Sequence, residues 1–165
     1  MRRVGATWAA LLVACLAGVP AAAQAAAEPK VEVIATGLDH PWSIAFLPGG
    51  GVLVTERNGG LRRIEPGRVS RVTGVPKVFN EGQGGLFDVV PHPQFQQNGI
   101  VFLSYAHGTN RANGTRVARA KLVGDTLIEV TPIYTATPLK RGPVHFGGRM
   151  QFLPDGTLLL TTGDG

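Results

Sequence analysis

His145 and Asp164 are the residues whose types and spacing could do chemistry in this chain. His145 stands just before a strand read over residues 148–153, and Asp164 follows one read over 157–162, with Asp155-Gly156 as the hairpin turn between them. Antiparallel pairing about that turn sets residue n opposite about 311 − n, so Asp164 faces position 147 and lies near His145. A carboxylate beside an imidazole fixes its tautomer, orients the ring and stabilises the imidazolium formed after proton abstraction, which is the equipment of a general base. The same residues also suit a plainer use, with His145 ending a loop ahead of a strand and Asp164 bonding its own glycine-rich turn. Spacing alone leaves both readings open. Gln83 and Asp39-His40 stand at corresponding places ahead of two earlier strands, so all of these side chains are expected on one rim.

The elements that must position them repeat along the chain. Phe46-Leu47-Pro48-Gly49-Gly50-Gly51-Val52-Leu53-Val54-Thr55 and Phe152-Leu153-Pro154-Asp155-Gly156-Thr157-Leu158-Leu159-Leu160-Thr161 share an apolar pair, a proline, a glycine turn and an apolar run. Val89-Val90-Pro91-His92-Pro93 followed by Ile100-Val101-Phe102-Leu103-Ser104 repeats it with a longer turn. Superposing Val54, Leu103 and Leu160 gives spacings of 49 and 57 residues, the period of a β-propeller blade. Strands are expected at 42–47, 51–56, 60–64 and 68–73, then at 86–90, 100–105, 115–122 and 126–131, with a third meander beginning at 148–153 and 157–162. A two-sheet sandwich uses strands of this length too, but gives no reason for self-similarity at this period. The fold class is all-β, a β-propeller of which about two and a half blades are present. Residues 28–165 then form the N-terminal part of a longer propeller domain, and a strand at 31–36 completes its last blade.

Composition narrows the function. Apolar residues make up 44% and charged residues 16%, too apolar for a disordered chain, and 23 glycines with 12 prolines favour many turns over long helices. Residues 1–27 read as an export signal peptide: Met1-Arg2-Arg3, an apolar run from Val4 to Val19, then small-residue cleavage sites around Ala21 to Ala27. The run is shorter than the roughly 20 residues needed to span a bilayer, so no membrane span is expected and the protein is placed in the periplasm or outside the cell. Leu12-Val13-Ala14-Cys15 also fits a lipobox, so lipoprotein anchoring through Cys15 is the alternative. Cys15 is the sole cysteine, which excludes disulfides, thiolate metal sites and a cysteine nucleophile from the folded part. Without Arg2 and Arg3 there are 14 basic against 11 acidic residues, scattered, and no nucleic-acid groove is expected. His92, between Pro91 and Pro93, reads as packing, while His107 and Asn113 read as solvent-facing residues of a polar loop. Asn113-Gly114-Thr115 formally fits a glycosylation acceptor, although the leader looks bacterial. No histidine pair has zinc spacing, and no metal ligand is assigned.

Several motifs in one order resemble the soluble PQQ-dependent glucose/sorbosone dehydrogenase family, in particular its aldose sugar dehydrogenase branch. They are Asp39-His40-Pro41-Trp42-Ser43, Val54-Thr55-Glu56-Arg57, Gly82-Gln83-Gly84-Gly85-Leu86 with Pro91-His92-Pro93-Gln94-Phe95, His145-Phe146-Gly147-Gly148-Arg149, and Gly163-Asp164. The resemblance implies a six-bladed propeller that binds pyrroloquinoline quinone (PQQ) at one end of its channel, uses calcium, and oxidises aldose sugars at the anomeric carbon to lactones. By the same likeness His145 is the base that takes the anomeric hydroxyl proton, Asp164 its orienting partner, and Gln83 a polar residue lining the sugar and cofactor pocket. Arg149 is expected to be structural, an ion-pair partner within its blade. Glucose-specific members carry an aspartate just before the base where Val144 stands here, which implies a broad aldose range. The cationic partners of the quinone and the calcium ligands are expected beyond residue 165, and the sequence does not specify the electron acceptor. The rival readings are a calcium-dependent lactonase or esterase on a similar propeller and a non-catalytic binding propeller.

Overall fold

The chain alternates short apolar runs with glycine-bearing turns, and in the computed structural model, which describes residues 29–164, those runs become antiparallel strands. The signal peptide expected over 1–27, with Cys15, lies outside the described residues. The first sheet is β1 (Pro41–Phe46), β2 (Val52–Glu56), β3 (Gly60–Glu65) and β4 (Arg68–Arg71), hydrogen-bonded in that order. The second is β5 (Leu86–Pro91), β6 (Ile100–Thr109), β7 (Ala112–Val123) and β8 (Thr126–Thr135), with the single helical turn α1 (Phe95–Asn98) between β5 and β6. β9 (Gly147–Phe152) and β10 (Leu158–Thr162) make a two-stranded third sheet. Gly49, Gly50 and Gly51 all sit at positive φ in the β1–β2 turn, a conformation that only glycine adopts without cost. No helix among the described residues is long and apolar enough to cross a membrane.

Two expectations fail here. Residues 31–36 form no strand. That segment has no neighbouring ladder to join, and its Ala35 packs with Leu38 against Val52, Val54 and Ile64 of the first sheet. His107 and Asn113 lie in strands, since β6 and β7 continue well past the expected loop, and Asn113 is fully buried. Its Nδ2 donates to the carbonyls of Thr109 (2.8 Å) and Gly142 (3.0 Å), a use that closes the amide to glycosylation. His92 does pack: its Nδ1 accepts from the Gln94 N–H at 3.0 Å, and its ring stacks on Phe102.

The repeat seen in sequence maps onto one structural position, because Val54, Leu103 and Leu160 pair with Ile44, Val89 and Met150 on the first strand of their own sheets. Just beyond those pairs the ladder slips by one residue in all three sheets, leaving Trp42, Phe87 and Gly148 as the extra residues of a recurring β-bulge. A bulge leaves a backbone N–H without its ladder partner, and a hydroxyl supplies it each time. The N–H groups of Ser43, Asp88 and Arg149 donate to Thr55 Oγ1 (3.0 Å), Ser104 Oγ (3.1 Å) and Thr161 Oγ1 (3.0 Å). Thr55 Oγ1 then donates to the Phe87 carbonyl at 2.7 Å, and Ser104 Oγ to the Gly148 carbonyl, so these two hydroxyls stitch their sheets to the first strand of the next, while Thr161 Oγ1 turns back to the Arg149 carbonyl at 3.4 Å.

Apolar faces fill the space between neighbouring sheets. Leu53 and Leu61 of the first meet Leu86, Val101 and Leu103 of the second in a cluster where all five are fully buried. Phe102 and Val117 of the second meet Met150 of the third. Fully burying such side chains stabilises by about 1.5–3 kcal/mol each, more than any surface ion pair in the molecule.

Candidate functional site: the rim around His145

The segment His145-Phe146-Gly147-Gly148 can be read residue by residue. Phe146 is the anchor: it is buried with Phe79, Phe87 and Ala106, its ring centroid 5.5 Å from that of Phe87. Gly148 is bare because a Cβ there would meet the Phe87 ring at 2.6 Å, and Gly147 because one would meet the Thr161 carbonyl oxygen at 2.8 Å. Across the hairpin, a Cβ on Gly163 would meet the His145 carbonyl oxygen at 2.0 Å. Glycines on both strands therefore let the two backbones close, and the Gly163 N–H donates to the Phe146 carbonyl at 3.1 Å.

This closure brings Asp164 nearer than the sequence register predicts. The β9–β10 turn is centred on Asp155, with Leu160 opposite Met150, and the bulge then sets Thr162 opposite Gly147. Continued outward, that register puts Asp164 against His145 rather than against position 147. His145 Nδ1 lies 3.0 Å from Asp164 Oδ1. A carboxylate only accepts, so a proton on Nδ1 facing it would leave Nε2 as the acceptor. The side chains are 53% and 89% exposed, so the pair is worth about 0–1 kcal/mol at most.

His145 sits at φ 58, a left-handed conformation that costs a non-glycine residue about 1–2 kcal/mol. Neighbours hold it there. Gln83 Oε1 accepts the His145 backbone N–H at 2.8 Å while the Gln83 N–H donates to the Pro143 carbonyl at 2.7 Å. Thr115 Oγ1 donates to the Phe146 carbonyl at 2.6 Å. Lys140 Nζ donates to the carbonyls of Gly142 (3.2 Å) and Val144, and lies 4.2 Å from the centre of the Phe146 ring. Burial pushes the Lys140 ammonium below its ordinary pKa. A small cavity of about 30 Å³ lies behind His145, lined in part by Lys140 and by Asn113, whose buried Oδ1 has no partner.

Gln83 thus meets the His145 backbone, and Asp164 its ring. The rim continues to the first sheet, where Arg57 donates to the Gly82 carbonyl at 2.6 Å. Asp39 and His40 sit at that end, with His40 Nδ1 2.5 Å from Asp39 Oδ1. Arg149 pairs across sheets and not within its own: its guanidinium reaches Asp88 Oδ1 at 3.6 Å and Ser43 Oγ at 3.3 Å. Asp88 is buried between the first strands and also accepts the Met150 N–H at 2.8 Å, which fixes the three inner strands to one another. Sequence reasoning missed Lys140 and Thr115 as partners of the His145 loop. Lys140 was visible only as half of the basic pair Lys140-Arg141, and nothing local marks a strand threonine as a loop clamp.

The fold is all-β and antiparallel, and its rim carries a histidine with a carboxylate 3.0 Å from its Nδ1. The profile of the Glucose / Sorbosone dehydrogenase family matches residues 38–165, and the chain belongs to that family. It is 40% identical over 147 residues to Aldose sugar dehydrogenase YliI of Escherichia coli (strain K12), covering 85% of this chain and 39% of that protein. Among solved structures, a glucose dehydrogenase superposes with a TM-score of 0.79 at 39% identity, over 82% of this chain and 44% of the other. The PQQ-bound form of aldose sugar dehydrogenase from Streptomyces coelicolor superposes with a TM-score of 0.69 at 31% identity, over 81% and 41%. The chain therefore spans about two fifths of the length of these relatives.

Proposed function

We propose that this chain is the N-terminal part of an exported quinoprotein, built on a six-bladed propeller, that oxidises aldose sugars at the anomeric carbon to lactones. The observation that carries the reading is the His145–Asp164 pair, held 3.0 Å apart on a rim shared with Gln83, in a chain of the glucose/sorbosone dehydrogenase family. Asp164 holds the Nδ1 proton, and Nε2 takes the proton of the anomeric hydroxyl as the C1–H bond gives up its hydride. PQQ, when bound, supplies the hydride acceptor. General-base catalysis of this kind contributes about 10²–10⁴-fold.

The described residues fit the base side of such a site. A tricarboxylate quinone also asks for cations, and here Arg57 and Lys140 are already donated to backbone carbonyls. Among the described residues no group of three or more histidine, cysteine, aspartate or glutamate side chains could hold a metal ion. In this proposal the quinone's cationic partners and the calcium ligands come from outside the described residues. Val144 presents an apolar side chain beside the base where a carboxylate would accept a sugar hydroxyl, which favours a broad aldose range. Residues 1–27 act as the export leader in this reading.

The full-length protein, reconstituted with PQQ and calcium, is expected to reduce an artificial dye when given aldoses. No dye reduction across a panel of aldoses, with PQQ binding demonstrated in the same sample, overturns the assignment.

A further inference from the structure

The peptide bond between Val144 and His145 is gripped at both ends. Its N–H donates to Gln83 Oε1 at 2.8 Å, and its carbonyl accepts from Lys140 Nζ. The two bonds fix the plane of that peptide, and with it the φ of His145 and the direction in which the imidazole leaves the backbone. The loop has no regular structure of its own to do this, and a left-handed residue persists only where its surroundings over-determine it.

Lys140 is placed for this task and for no other visible one. Among the described residues it forms no ion pair with a carboxylate. Its ammonium meets the Gly142 and Val144 carbonyls on the near side of His145 and the Phe146 ring on the far side, so one cation spans the base from both flanks. Its own backbone is pinned to Asn113 by two hydrogen bonds of 2.9 and 2.8 Å, which ties the clasp to the edge of β7 rather than to the loop it holds.

We propose that Lys140 is a positioning residue for His145, acting through the carbonyl of Val144; this rests on the reading of His145 as the base. The test uses the full-length protein with Lys140→Met and Lys140→Arg. With PQQ and calcium loaded, Lys140→Met is expected to lower kcat about tenfold, a fraction of what a full 1 Å misplacement costs, while the aldose KM stays within about twofold. Lys140→Arg, which keeps charge and donors, recovers most of that loss. A readout free of turnover is the ¹⁵N-histidine spectrum, where the His145 ring resonances shift or broaden in Lys140→Met and are retained in Lys140→Arg.

An unchanged kcat together with an unchanged His145 resonance in Lys140→Met sinks the proposal. So does a loss that arginine fails to recover and that follows the melting temperature. If His145→Gln itself turns over normally, the base reading fails, and the spectrum alone then decides whether Lys140 sets the ring. Should Lys140→Met not fold, Lys140→Gln, which keeps an amide donor without the charge, is measured in the same way against the same outcomes.

Discussion

The first and third sheets open onto the rim through the same hairpin mouth and fill it differently. In each sheet one backbone bond closes the mouth: the Arg57 N–H to the His40 carbonyl (3.1 Å), the Ala106 N–H to the Gly85 carbonyl (2.8 Å) and the Gly163 N–H to the Phe146 carbonyl (3.1 Å). One residue further out, Asp39 faces Asn58, Gly84 faces His107, and His145 faces Asp164. At the first mouth the carboxylate is central and saturated. Asp39 accepts from Asn58 Nδ2 at 2.5 Å and pairs with His40, while its N–H donates to buried Glu56 at 2.9 Å. At the third mouth the histidine is central, and among the described residues Asp164 forms an ion-pair contact with it alone. The second mouth has glycine opposite His107, whose pKa is lowered by burial first and by the Arg116 charge second. One backbone frame thus offers a facing pair three times, and the residue types decide that one mouth becomes a latch and another carries a histidine beside a carboxylate.

The comparison breaks most sharply at His145. In the PQQ-loaded full-length protein, His145→Gln is expected to lower kcat about 10²–10⁴-fold with PQQ affinity little changed, since glutamine keeps polarity and loses the basic nitrogen. Turnover within a few-fold of the parent would give the proton to another residue. Asp164→Asn comes next: the ring keeps a neighbour and loses its carboxylate, so kcat is expected to fall about tenfold or more, yet less than for His145→Gln. A fall as large as that of His145→Gln would mean that Asp164 does more than orient.

The smallest effect belongs to the first mouth. His40 resembles His145 in having a positive φ and an aspartate on Nδ1, but it is 72% exposed and its aspartate already has other partners. His40→Gln should leave kcat within about twofold and stability within about 1 kcal/mol, as expected for an exposed pair. A loss of turnover matching Asp164→Asn would place both mouths in the chemistry and erase the distinction drawn between them.

Much of this was legible along the chain. Alternating apolar runs and glycine turns place seven of the ten strands among the described residues within two residues, because strand and turn preferences are local. The other three, β6, β7 and β8, run longer than expected, to Thr109, from Ala112 and to Thr135, since their lengths are set by pairing with one another. The expected strand at 31–36 fails for the complementary reason: apolar content alone does not make a strand where no ladder is there to join.

The sequence by itself determined which residues could do chemistry and which sheet each would stand on. His145, Asp164 and Gln83 all follow from motif and period, and the hydroxyls of Thr55, Ser104 and Thr161 recur at one step past the matched leucines and valine. Only the tertiary structure decided what those residues touch. The bulge that carries Asp164 to His145 is a property of two strands closing over glycines, and the grip of Gln83 on His145 joins residues 62 apart in the chain. Lys140 on Val144 and Arg149 on Asp88 likewise depend on which surfaces pack together. Local preference is written residue by residue, whereas a contact between sheets exists only once their apolar faces have set the distance between them.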